Sequence, residues 1–107
     1  MEYKIKIAEV FSISPGSRHP DEGDYSGQEF REKILIPMFR KCLNAKQFLT
    51  IDLDGTLGYG TSFLEEVFGG LAREFTVDEV LNHIKIISNE EDYLIDDIKE
   101  YIKDAKG

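Results

Sequence analysis

The stretch Phe48-Leu49-Thr50-Ile51-Asp52-Leu53-Asp54-Gly55-Thr56-Leu57-Gly58-Tyr59-Gly60-Thr61-Ser62-Phe63-Leu64-Glu65 decides the fold. Its first six residues form a short apolar run with β-branched members, the pattern of a buried strand. Glycines and a threonine then break the run. From Ser62 the spacing changes, with Leu64, Val67, Phe68, Leu71 and Phe75 recurring at helical intervals. Ser62-Phe63-Leu64-Glu65 fits a capping box. In that motif the serine hydroxyl accepts from the third residue's N–H and the glutamate reaches back to the serine. The stretch therefore predicts strand, tight loop and helix.

Outward from this centre the same alternation repeats. Tyr3, Ile5 and Ile7 alternate with Lys4 and Lys6, which predicts a first strand with one wetter face. His83-Ile84-Lys85-Ile86-Ile87 predicts a third strand, begun by His83. Ser14 to Asp24 carries Pro15, Gly16, Pro20 and Gly23 and reads as a loop. Ser26-Gly27-Gln28-Glu29 is another capping box, with Tyr25 and Phe30 placed for a hydrophobic staple. Its helix should run to about Leu43. Pro37 lies inside it, so a kink, or a break near Ile36, is expected. Thr76-Val77-Asp78-Glu79 opens a short helical turn. Ser88-Asn89-Glu90-Glu91 opens a last helix, with Leu94, Ile98, Tyr101, Ile102 and Ala105 as its inner face. Strands alternating with helices predict one small α/β domain over residues 1–107, with a mostly parallel or mixed sheet of about three to five strands. Sites in such sheets form at the carboxyl ends of strands, which is where the loop after Asp52 falls.

Composition limits the function classes. A net charge of −8 on 107 residues repels phosphate backbones and anionic membranes, so neither nucleic acid nor membrane is expected as a partner. The single cysteine, Cys42, rules out an internal disulfide and reads as a small core residue. Met1-Glu2-Tyr3-Lys4-Ile5-Lys6 mixes charges with apolar residues, unlike a signal peptide, and no apolar run approaches the ~20 residues of a spanning helix. A cytoplasmic location is expected. His19 and His83 have no companions at metal-ligand spacing, so no metal or cofactor is expected.

Ile51-Asp52-Leu53-Asp54-Gly55-Thr56-Leu57 resembles the first motif of the haloacid dehalogenase superfamily of phosphatases. That resemblance implies a small Mg²⁺-dependent phosphatase, with Asp52 attacking phosphorus and Asp54 serving as general acid and base. Ser88 would then stand for the second motif. The superfamily also needs a late acidic pair at a further strand end. Asp96-Asp97 falls inside the last helix, too close to Ser88 for a strand and crossover.

A second resemblance spans most of the chain. Pro15-Gly16-Ser17-Arg18, Ser26-Gly27-Gln28-Glu29-Phe30-Arg31, Ile51-Asp52-Leu53-Asp54-Gly55 and the run from Gly58 to Leu71 together resemble the STAS-like family of small bacterial proteins, akin to anti-sigma-factor antagonists. The resemblance implies a STAS-like fold. It also implies a non-enzymatic regulatory module that binds a protein partner, either a histidine-kinase-like ATPase or an anti-sigma-factor-like protein. In the antagonists such an ATPase phosphorylates a serine at a helix start. That position falls on Thr61, with Ser62 beside it. Gly60 stands where the antagonists carry an aspartate, and Phe63 where they carry a glycine.

The residues support this placement in physical terms. A helix N-terminus offers free N–H groups and a positive dipole end, which tolerate a phosphate. Gly58 and Gly60 suggest positive φ or close approach, and would leave Tyr59 exposed to stack or bind. Thr61, Ser62, Tyr59, Gly58 and Gly60 are thus the candidates for modification or partner contact. If the first long loop folds over the sheet end, Arg18 could pair with Asp52 or Asp54, or hold an anion; Arg18, Asp52 and Asp54 are the candidates for an anion or small-ligand site, which would make the chain a sensor. Glu65-Glu66 needs only the helix dipole to explain it. Gly69-Gly70 suggests close packing of the second helix on the sheet or on another subunit, which leaves a homodimer open.

Overall fold

The computed structural model describes residues 3–105; the outer limits of the 1–107 domain, and Met1-Glu2, lie outside the described residues. Three strands, β1 (Tyr3–Lys6), β2 (Leu49–Asp52) and β3 (Ile84–Ile87), form one sheet in the order β1-β2-β3. Both pairings are parallel, with Ile5 opposite Ile51 and Ile51 opposite Ile86. The helices are α1 (residues 27–45), α2 (residues 61–74), α3 (Val77–His83) and α4 (Tyr93–Asp104). The α/β expectation holds, at the lower end of the strand count.

Each crossover steps the same way across the sheet. Right-handed crossovers therefore place α1 and α2 on the same face. Their packing agrees, because α2 lies against both α1 and α4. Ile5, Leu49 and Ile51 point into this helical layer and are buried, together with Phe30, Phe39, Phe63, Phe68 and Ile98. Lys4, Lys6, Thr50, Asp52 and Lys85 alternate with them, so they belong to the opposite face. Cys42 is buried in the core, as the sequence suggested.

Three local expectations change. Ile7 does not extend β1. It starts a single helical turn, Ile7–Val10, that brings Phe11 back against Phe30 at 5.2 Å between ring centroids. The same Phe11 takes the edge of Tyr25 at 5.5 Å, so it stands between the two residues of the expected staple. His83 ends α3 rather than beginning β3, with its ring Nδ1 2.9 Å from the Glu79 carbonyl oxygen. Helix α1 does not break at Pro37. Its turn at Arg31–Leu35 widens to a π-helix and ends just before the segment carrying the proline. Such a turn accommodates a backbone position that donates no hydrogen bond.

Candidate functional site

The loops after the strands gather at the carboxyl end of the sheet. Gly55 and Gly58 turn the chain after β2 at φ of 94° and 135°, values that favour glycine. Gly60 does not share this feature; its backbone is extended at φ −79°, and the positive φ at Gly55 went unread in the sequence. The loop from Ile13 to Arg18 lies alongside. Leu57 N–H donates to the Ile13 carbonyl at 2.7 Å, and the first N–H groups of α1 donate to Ser17 and Arg18. Leu57 is 82% exposed and Ile13 58%, so two joined segments present bare aliphatic side chains.

Asp52 and Asp54 are occupied within this framework. The Asp52 carboxylate accepts from Asp54 N–H at 2.9 Å and lies 3.9 and 4.0 Å from Lys4 and Lys6. The Asp54 carboxylate accepts from Glu90 N–H at 3.0 Å and from the Asn89 side chain at 3.1 Å. The Glu90 N–H, foremost, holds its pKa below the usual carboxylate value. Glu90 in turn accepts from Gly55 N–H at 2.6 Å. These two acids thus tie the β2 loop to the segment after β3.

Tyr59 is not the exposed residue its flanking glycines suggest. It is half-buried, its hydroxyl donates to the Leu53 carbonyl at 2.8 Å, and its ring lies 5.9 Å from that of Phe63. Burial, foremost, pushes its pKa up to about 12. Tyr59 therefore anchors the loop to the core and leaves Leu57 and Thr61 outside.

Helix α2 begins at Thr61, one residue before the expected box. Gly60 is its N-cap and supplies no side-chain hydrogen bond. Ser62 consequently sits inside the first turn. Its partner in the expected box, Glu65, is drawn instead to Arg73 at 2.8 Å and to Arg18 at 2.5 Å. Thr61 and Ser62 are both exposed. The structure therefore offers two free hydroxyls at a helix start whose N–H groups no side chain has claimed.

Arg18 turns away from Asp52 and Asp54. It binds Glu65, and it lies 3.2 Å from Glu66. Glu66 is only 7% exposed and is also paired with Arg31, whose Nη1 donates to the Glu66 carbonyl at 2.9 Å. Burial alone would raise the Glu66 pKa; Arg31 and Arg18 outweigh it and leave it lowered. Sequence reading missed this cluster, since Glu65-Glu66 needed no partner beyond the helix dipole.

The glycines on both sides explain how it fits. A Cβ on Gly27 would lie 2.9 Å from the Phe63 carbonyl oxygen, and one on Gly70 2.5 Å from Arg31 Nη1. Gly27 thus lets α1 and α2 approach. Within the chain, Gly70 makes room for the Arg31 side chain and Gly69 for Glu65 and Arg73, so the pair faces these side chains and not the sheet.

Fold and site together define a small two-layer α/β domain whose three-stranded parallel sheet gathers its exposed loops at one end. The chain belongs to the family described as a STAS-like domain of unknown function (DUF4325), whose model matches residues 26–94. No curated protein and no solved structure matches it. Among the described residues, no helix is long and apolar enough to cross a membrane.

Proposed function

We propose that this chain is a non-enzymatic regulatory module, akin to the anti-sigma-factor antagonists, that binds a protein partner through the rim from Leu57 to Ser62 and the start of α2. A histidine-kinase-like ATPase is the expected partner, and phosphorylation of Thr61 or Ser62 is the expected control. The observation that carries this reading is the start of α2, where an uncapped helix end and two exposed hydroxyls stand beside the bare Leu57. A phosphate there would meet free N–H groups and the positive end of the helix dipole. It would also place about two negative charges beside an apolar contact, which is how it would release a partner.

Binding is favoured over phosphoryl transfer because Asp52 and Asp54 already serve as acceptors that hold the loop. Binding is favoured over a small-ligand sensor because Arg18 is engaged by two glutamates. Intact-mass measurement after incubation with a candidate ATPase, ATP and Mg²⁺ tests the switch. One added phosphate, lost in the Thr61→Ala, Ser62→Ala double variant, is expected. No added phosphate, with the affinity for that ATPase unchanged in Thr61→Glu, would overturn it.

A further inference from the structure

A second surface lies at the free edge of β3. This strand pairs only with β2 among the described residues. Leu53 N–H donates to the Ile87 carbonyl at 2.8 Å, so Ile87 directs its main-chain groups toward β2. Main-chain direction alternates along a strand, so Lys85 does the same while Ile84 and Ile86 direct theirs outward. Two N–H groups and two carbonyls thus form an open ladder edge.

Beside that edge, α3, β3 and α4 enclose a cleft of about 400 Å³. Its walls are mainly aliphatic, with Leu81, Ile84, Ile86 and Ile95 among them. Ile84 and Ile86 remain half-buried, unlike Leu49 and Ile51, which face the same helical layer from the central strand and are fully buried. The cleft stands where side chains of a fourth strand would pack. Among the described residues, its only charged lining residues are Lys85 and Lys99, and no carboxylate lines it. On a chain carrying 21 acidic and 13 basic residues, such a purely cationic border selects negative charge.

We infer that the β3 edge binds an extended peptide segment of a partner protein, one that alternates apolar with acidic residues. The peptide adds a strand to the sheet. Its main chain completes the ladder of Ile84 and Ile86, its apolar side chains fill the cleft on the helical face, and its carboxylates, on the opposite face, meet Lys85, whose Nζ stands 4.7 Å from the centre of the Phe48 ring. A second copy of this chain is a poor occupant, because antiparallel pairing centred on Lys85 sets two lysines opposite each other.

The probe is a display library of random decapeptides, selected on the wild type and on the Lys85→Glu, Lys99→Glu variant. Both positions are exposed, so the variant retains the fold. The wild type is expected to enrich alternating apolar and acidic peptides. The variant should bind these at least about tenfold more weakly, a change of 1.4 kcal/mol, and should enrich basic ones instead. The best peptide should slow amide exchange at Ile84 and Ile86, and methylating its ladder-facing amides should abolish binding. Failure to enrich any peptide would overturn the inference. So would affinity indifferent to the charge reversal, protection mapping to the Leu57–Ser62 rim, or a dimer joined through β3 in solution.

Discussion

Removing the Glu66 carboxylate is expected to destabilise the domain more than any other single charge deletion. Glu66 is 7% exposed, and the side chains of Arg31 and Glu66 are 15% and 10% exposed, so little solvent screens the pair. In Glu66→Gln, Arg31 keeps only the Glu66 carbonyl and a distant Glu32 carboxylate at 4.0 Å. Arg18 falls back on Glu65. Breaking a buried pair by removing one partner costs about 3–5 kcal/mol. The amide still accepts one hydrogen bond, so the expected loss is about 3 kcal/mol. With a urea m-value of about 1.5 kcal/mol per molar, the midpoint falls by ~2 M. The double variant Arg31→Met, Glu66→Leu should lose far less than the sum of its singles, because no buried charge is stranded. The loss must also depend on pH. The folded-state pKa of Glu66 lies below its ordinary value of 4.5, so the pair's contribution is present above that value and disappears as pH falls through the folded value. Urea titrations of the wild type, Glu66→Gln, the double variant and its two singles, at neutral and acid pH, decide the matter. Single losses under ~1 kcal/mol, additive doubles, or a pH-independent difference would refute the reasoning.

Tyr59→Phe keeps the ring on Phe63 but leaves the Leu53 carbonyl without its donor, for an expected loss of about 1 kcal/mol by thermal melting. The raised Tyr59 pKa also means that the wild type holds this contribution below pH 10 and loses it as pH rises toward 12, by no more than about 3 kcal/mol; Tyr59→Phe should flatten that decline. Gly55→Ala places a Cβ 3.2 Å from that of Ala8 at a φ of 94°, so a loss of about 1–2 kcal/mol is expected in urea unfolding. Leu57→Asp, at a position 82% exposed, should leave the melting temperature within about 2 °C of wild type while weakening partner binding measured by calorimetry.

What the sequence disclosed depended on how far each interaction reaches along the chain. The capping serine at 26 and threonine at 76 were legible because their oxygens accept from N–H groups three residues on, at 3.1 Å in both cases. The same signature misled at Ser62. Gly60, already extended, starts α2 a residue early, and Glu65 finds arginines stronger partners than a serine N–H. At Ser88 the hydroxyl donates to the Glu91 carbonyl at 2.7 Å instead, closing a turn that delays α4 to Tyr93. The inner face of α4 was nevertheless readable, since burial of Leu94, Ile98 and Ile102 depends on period and not on the exact start.

The Arg18–Glu66–Arg31 cluster had no local signal. Its members lie 48 and 35 residues from Glu66, and nothing in composition pairs them. Tyr59 shows the opposite failure. Flanking glycines argued for exposure, but Gly58 at positive φ turns the chain so that the ring folds back onto Phe63. The rim itself was found at the expected strand end, with its exposed residues changed: Leu57 in place of Tyr59, beside Thr61 and Ser62.

The central claim is that this rim is a partner-binding surface controlled by charge at the start of α2. Calorimetric titration of a candidate histidine-kinase-like ATPase with the wild type, Thr61→Glu and Leu57→Asp tests it most directly. The account predicts binding by the wild type and a loss of at least about tenfold in each variant, with both still folded. Equal affinity of all three proteins for that ATPase would contradict it.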